Sequence, residues 1–189
     1  TWGAMWMDYN NNTWEDIFLA TMIFTAPPHP GSRLYANNQG ESFTEITAEA
    51  NINGPTPTET FTLAMGDINN DGYYDYATGN RHPYTPRLKL NDGGENNYFS
   101  VELEGTLANR DGIGTWIRCY TGGQQQVRYT MCGENLAGQN SNKKIFGLAE
   151  HEIVDSLVVD WNSGTHEVYH DVEVNQQLYL IEGESFLEP

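Results

Sequence analysis

Basic residues are scarce in this chain: 9 Lys and Arg stand against 26 Asp and Glu, for a formal net charge of −17. Nucleic acid and anionic lipid would both be repelled at long range, which excludes polyanion binding as the main function. Cysteine is sparse too. Cys119 and Cys132 are the 2 present, too few for a disulfide-framed mini-domain, and they leave the redox compartment open. A hairpin turning at Gly122-Gly123 would set Cys119 opposite residue 125 or 126 and displace Cys132 by roughly 20 Å. A direct bond needs Cα atoms within about 7 Å, so a disulfide requires a wider loop than Gly-Gly implies. No apolar run approaches the roughly 18 residues that cross a bilayer as a helix. The opening Thr1-Trp2-Gly3-Ala4-Met5 reads as strand rather than leader peptide, as in a mature or trimmed product. Recognisable catalytic signatures are missing as well: there is no Gly-x-Ser-x-Gly elbow, no phosphate loop and no His-Glu-x-x-His. Carboxylates are abundant, as in any acidic protein, which keeps a glycosidase as a minor alternative. The expectation is a chain that is not an enzyme.

What is plentiful points to β structure. Charged residues make up only 19% of the 189, while Gly and Tyr number 19 and 11. Turn formers between aromatic and β-branched stretches are the composition of short strands joined by tight loops, and no amphipathic helix stands out.

Two acidic loops carry the strongest chemical signal. The first reads Asp8-Tyr9-Asn10-Asn11-Asn12-Thr13-Trp14-Glu15-Asp16 and the second Asp67-Ile68-Asn69-Asn70-Asp71-Gly72-Tyr73-Tyr74-Asp75. Each places oxygen-bearing side chains at positions one, three, five and nine. A hard cation such as Ca²⁺ takes about six to eight oxygens, and alternate residues of a tight loop can aim theirs at one centre. The candidate ligands are Asp67, Asn69, Asp71, Asp75 and the Tyr73 carbonyl in one loop. In the other they are Asp8, Asn10, Asn12, Asp16 and the Trp14 carbonyl. One or two Ca²⁺ ions are expected. Position twelve is Leu19 or Thr78 rather than the bidentate Glu of the helix–loop–helix calcium hand, and the flanks are strand-like. Asn11-Asn12-Thr13 is also a glycosylation sequon, disfavoured where the loop holds an ion.

The repeat extends beyond the loops. Ala4 to Asp8 corresponds to Leu63 to Asp67, and Arg33-Leu34-Tyr35-Ala36-Asn37-Asn38 to Arg87-Leu88-Lys89-Leu90-Asn91-Asp92. Each unit reads strand, cation loop, strand, variable loop, strand, turn. The variable loops, 24–32 and 81–86, are rich in Pro and His and belong at a rim. A period of this kind signals units that bury their apolar faces by stacking. After Gly94 come strand-like stretches at 97–103, 113–120, 127–131, 145–148, 156–161, 166–169 and 177–181. These predict about six or seven strands, with a hairpin at Gly122-Gly123, in a compact β-sandwich.

The repeats resemble FG-GAP/VCBS-type calcium-binding propeller repeats, on the two aspartate loops and the Leu-Tyr-Ala-Asn-Asn and Leu-Lys-Leu-Asn-Asp strand ends. The remainder resembles an ASPIC/UnbV domain, as in cartilage acidic protein-like chains. The residues carrying that are Asn109-Arg110-Asp111-Gly112-Ile113-Gly114, Phe146-Gly147-Leu148, Val154 to Trp161 and Ser163-Gly164. The first loop departs from the repeat pattern in having Thr13 for Gly and Asn10 and Asn12 for Asp. The expected fold is all-β: two propeller-like calcium-loop repeats over 1–94, packed with a β-sandwich over 95–183, and a tail at 184–189. Asn109 to Gly112 is read as a structural turn fixed by Arg110 and Asp111. The resemblance implies Ca²⁺ in the loops, an extracellular or cell-surface setting and a structural or adhesive role. Two repeats fall short of the about four to eight blades of a propeller, so exposed sheet edges are expected to drive self-association into an oligomer or filament, or contact with other extracellular proteins. The alternative is a carbohydrate- or protein-binding module that is a fragment of a longer secreted propeller protein, with a glycan as possible ligand.

Overall fold

The computed structural model describes residues 2–21, 31–53 and 59–184. Among these residues every regular element is a strand and none is a helix, in keeping with the all-β reading. Residues 24–30 of the first variable loop and 185–189 of the tail lie outside the described residues.

The chain forms two compact units. The first comprises Thr1–Tyr9, Trp14–Asp92 and Gly133–Ser141, the second Asn10–Thr13, Gly93–Cys132 and Asn142–Pro189. The short excursions 10–13 and 133–141 are thus each grouped with the unit to which they are not contiguous in sequence.

In the first unit the two repeats become two antiparallel meanders. β1 (Gly3–Met7), β2 (Asp16–Ala20), β3 (Arg33–Asn37) and β4 (Phe43–Glu45) form one sheet in that order, and β5 (Thr60–Gly66), β6 (Asp75–Asn80) and β7 (Arg87–Lys89) form the other. Alternation decides the faces: Met5, Met7, Phe18, Ala20 and Leu34 point to one side of the first sheet and are buried, as a period of two requires. Phe18 meets Tyr76 of the second sheet with ring centroids 4.7 Å apart. A cavity of about 400 Å³ remains beside this pair, walled by Met7, Phe18, Leu34 and Tyr76. The edge of β5 is covered by the excursion 133–141: Ser141 N–H donates to the Met65 carbonyl at 2.9 Å, and Asn140 Oδ1 accepts the Met65 N–H at 3.0 Å. Both sheets are open. The short β4 strand and this covering segment were not foreseen, because neither carries an alternating apolar pattern.

The second unit contains seven strands, at the upper end of the number expected: β8 (Asn97–Glu104), β9 (Trp116–Thr121), β10 (Gln124–Tyr129), β11 (Lys144–Ala149), β12 (Ile153–Asp160), β13 (His166–Glu173) and β14 (Gln176–Ile181). They form a four-stranded sheet β10-β9-β12-β13 and a three-stranded sheet β11-β8-β14. Both sheets feed one apolar core, in which Phe99, Val101, Phe146, Leu148 and Leu178 from one meet Ile117, Leu157 and Val159 from the other. Phe99 and Phe146 stack at 4.8 Å. Each such side chain fully buried contributes about 1.5–3 kcal/mol relative to exposure.

The hairpin reading holds. β9 and β10 turn at Gly122-Gly123, with φ of 55° and 78°, the pair of positive angles a two-residue hairpin loop needs. Cys119 pairs with Gln126 in the register. Cys119 is a buried free thiol, pushed up to about 12 by burial, and Cys132 is an exposed one. One pairing escaped the sequence reading: β14 runs parallel to β8, with Gln176 beside Phe99 and Leu180 beside Leu103.

Candidate metal centre

The second acidic loop lies wholly in the first unit, between β5 and β6. Its carboxylates first organise the loop's own backbone. Asp67 accepts the N–H of Asp71 on Oδ1 at 3.0 Å and that of Gly72 on Oδ2 at 3.1 Å. Asn69 Oδ1 shares the Asp71 N–H at 3.3 Å, and its amide donates to Asp71 Oδ2 at 2.7 Å. Asp71 Oδ1 accepts the Tyr73 N–H at 2.9 Å. Asp67, Asn69 and Asp71 are therefore folded onto one another, with two side-chain oxygens aimed at one backbone donor. Carboxylate and amide oxygens carry further lone pairs beyond those engaged. The donor set, oxygens gathered in a tight loop, is of the kind that suits a hard cation such as Ca²⁺. Among the described residues, no group of three or more His, Cys, Asp and Glu side chains is assembled as a metal site; the side chains gathered here are two carboxylates and an amide.

Asp75 behaves differently from the first three. It is fully buried, and its two oxygens accept the N–H of Ile68 at 2.8 Å and of Asn91 at 2.7 Å. It ties the loop's start to the residues after β7. The side chain of Tyr73 is buried, 4% exposed, leaving its carbonyl as the group that could face an ion.

The first loop reproduces this framework residue by residue. Asp16, fully buried, accepts the N–H of Tyr9 at 3.0 Å and of Asn37 at 2.8 Å, as Asp75 does with Ile68 and Asn91. The amide of Asn37 donates to the Glu15 carbonyl at 2.9 Å, and that of Asn91 to the equivalent Tyr74 carbonyl at 3.4 Å. Backbone angles match as well: position four is Asn11 at φ 56° or Asn70 at 59°, and position six is Thr13 at 81° or Gly72 at 83°. Glycine adopts that angle without penalty, whereas a β-branched residue there is strained.

The candidate ligands of this first loop are divided between the two units. Asp8 and Asp16 belong to the first and are 1% and 0% exposed. Trp14, also there, lies so close over Gly40 that a Cβ added to the glycine would approach its ring to 3.1 Å. Asn10 and Asn12 belong to the second unit. There the Asn10 carbonyl accepts the Asn96 amide at 2.8 Å, the Asn11 carbonyl accepts the Ala149 N–H at 2.8 Å, and Thr13 Oγ1 donates to Gln124 at 3.0 Å. Asn10 Oδ1 is shut off from solvent with no hydrogen-bond partner, a buried acceptor of the kind a cation would satisfy. Asn11 is fully buried, which removes the sequon as a surface acceptor.

Electrostatics separates two buried carboxyls. Burial pushes Asp16 up to about 6; the Asn37 and Tyr9 N–H groups oppose that rise and neighbouring Glu15 adds to it. Glu182, at the end of β14, goes the other way. Burial alone would raise it, but the Ser163 and Thr165 hydroxyls and the backbone N–H groups of Ala108 and Leu107 outweigh that and hold it at about 2. One oxygen, Oε2, accepts the N–H groups of Thr106, Leu107 and Ala108 at 3.0, 2.8 and 2.7 Å. Glu182 thus anchors the loop after β8 and the Ser163-Gly164 turn together. No local pattern marks it in the sequence, since its partners lie far away along the chain. The turn at 109–112 also differs from its reading. Asn109, not Arg110 or Asp111, fixes it, donating to the Ile113 carbonyl at 2.7 Å and accepting the Ile113 N–H at 2.8 Å. A side-chain amide carries both donor and acceptor and so closes both bonds at once.

None of the curated proteins matches the chain. A family model for an FG-GAP-like repeat matches residues 8–78, spanning both acidic loops, and one for ASPIC and UnbV matches residues 105–186. The loops fall inside the first match and the Glu182 anchor inside the second. With its paired meanders and its two-sheet core, the chain is an FG-GAP-like repeat region followed by an ASPIC/UnbV domain.

Proposed function

We propose that this chain is a non-enzymatic, extracellular structural module. Calcium held in the repeat loops stiffens the meanders, and open sheet edges associate with copies of itself or with other extracellular proteins. The observation that carries this reading is the second loop, where Asp67 and Asn69 both accept the Asp71 N–H and the Asn69 amide donates to the Asp71 carboxylate. Removing a bound cation would leave those carboxylates to repel one another, so ion and loop geometry are coupled. Support for the associative part comes from the sheets, none of which closes on itself among the described residues, since an unpaired edge templates further pairing. No helix of the described residues is long and apolar enough to cross a membrane.

Titration calorimetry with CaCl₂ tests the first part. Binding with a Kd on the order of 10⁻⁴ to 10⁻³ M is expected for an extracellular module. At a tenfold excess over Kd this stabilises the fold by about 1.4 kcal/mol. No heat, and no melting shift between CaCl₂ and EGTA, would remove calcium from the account. Sedimentation velocity tests the second part: monomers in both conditions at high protein concentration would remove self-association.

A further inference from the structure

A different surface, in the second unit, has the composition of a ligand platform. The outer face of the sheet β10-β9-β12-β13 is open to solvent, with Trp116 45% and Tyr129 37% exposed. Cross-strand register aligns Tyr129, Trp116, Asp160 and His166 in one row, each opposite the next. The Trp116 and Tyr129 ring centroids are 4.6 Å apart at 42°, so the two rings pack as one tilted aromatic cluster exposed on this face. Polar groups flank them in fixed positions. Asp160 is ion-paired with Arg118 and bonded to His166 Nδ1 at 2.6 Å. Arg118 lies 6.0 Å from the Trp116 ring centroid. In the next row but one, Gln125 donates to the Tyr120 hydroxyl at 3.0 Å.

We infer that this face binds a neutral polysaccharide. Aromatic faces accept the C–H side of a sugar ring, and planar amide, guanidinium and carboxylate groups at the margin pair with its hydroxyls, the usual division of labour in a ligand site. Charge selects among the occupants. Arg118 and Asp160 neutralise each other, so the face offers hydrogen bonds with little net charge. Nucleic acid and acidic glycans are repelled by the chain's −17. An uncharged glycan meets no such barrier. The Tyr129-to-His166 row spans three strand spacings, about 14 Å. That suits several consecutive sugar units rather than one.

The inference goes beyond the calcium reading, because no loop ligand lies on this face; either can fail without the other. Affinity electrophoresis of the full chain through soluble hydroxyethyl cellulose, glycol chitin, amylose and mannan, with polygalacturonate as the charged control, tests it. At least one neutral polymer should retard the protein, in EGTA as in CaCl₂, and polygalacturonate should not. Trp116→Ala should weaken retardation at least tenfold, and Arg118→Met several-fold, both with unchanged circular dichroism. Should Trp116→Ala fold poorly, quenching of Trp fluorescence by the bound polymer in the parent chain, absent in Trp116→Phe, reads the same contact. Retardation by none of the neutral polymers, or retardation unchanged in both Trp116 variants, would overturn the assignment. So would loss of an oligomer in Trp116→Ala with glycan binding intact, which would give the face to contact between copies.

Discussion

The two acidic loops are built on one backbone and filled with different side chains. Both hold position four near φ 57° and position six near 82°, and both close with a buried Asp that clamps two distant N–H groups. Only the second has glycine where the angle demands it and Asp at position five. The shared frame shows that the loop shape is set by the position-nine clamp and the left-handed positions. The differences in charge and strain are layered onto that shape, and on the reading proposed above they would tune ion affinity separately from it.

Removing the clamp should break the comparison most severely. Asp75→Ala removes both clamp bonds, to the Ile68 and Asn91 N–H groups, and empties a fully buried side-chain position, at a cost of about 3 kcal/mol in urea unfolding. Asp16→Ala should cost less, because its ionised form already carries a burial penalty at neutral pH. Equal losses in the two variants would mean that the clamps are energetically alike.

Acidity should separate the loops next. Asp16 is raised from 3.8 to about 6 in the fold. Its contribution to stability is therefore fully present below about pH 3.8 and is lost as pH rises through about 6, on the order of 3 kcal/mol across that window. Saturating calcium should shrink the effect, since an adjacent cation favours the ionised form. Glu182 supplies the opposite sign within the same chain. Held at about 2 against an ordinary 4.5, it contributes stability above about pH 4.5 that is lost as pH falls toward 2. Carboxyl carbon shifts followed by NMR from pH 2 to 8 resolve both groups; an Asp16 midpoint near 4 without calcium would contradict the burial argument.

Exchanging the position-six residues should have smaller, opposite effects. Gly72→Thr forces a β-branched residue to φ 83° and should cost about 2 kcal/mol. Thr13→Gly relieves that strain at φ 81°, offset in part by glycine's greater chain entropy and the lost bond to Gln124, for a net gain of about 1 kcal/mol. Thermal melts in EGTA read both changes free of ion binding. A destabilised Thr13→Gly would show that the hydroxyl bond outweighs the backbone strain.

Much of the molecule is legible in its sequence. The repeat located β1 and β2, alternation located β8, and a strand-like stretch before a turn located β12. Gly122-Gly123 fixed a hairpin because few other pairs take two positive angles. The repeated Asp and Asn spacing located both loops. Other features were silent. β4 and the segment over the β5 edge have no apolar rhythm, and their places depend on what they cover. The parallel pairing of β14 with β8 has no local signature. Asn109 outcompeted Arg110 and Asp111 in the turn through hydrogen-bond geometry that composition does not encode.

Sequence alone determined the β class, the duplicated loops with their position-nine aspartates, and the succession of repeats and C-terminal domain, because each depends on local spacing and backbone preference. Only the tertiary structure decided which oxygens meet, which aspartate serves as a clamp, and which carboxyl rises while another falls. Those outcomes depend on burial and on donors supplied by residues far apart in the chain, as when Asn37 reaches Asp16 or Thr106 reaches Glu182.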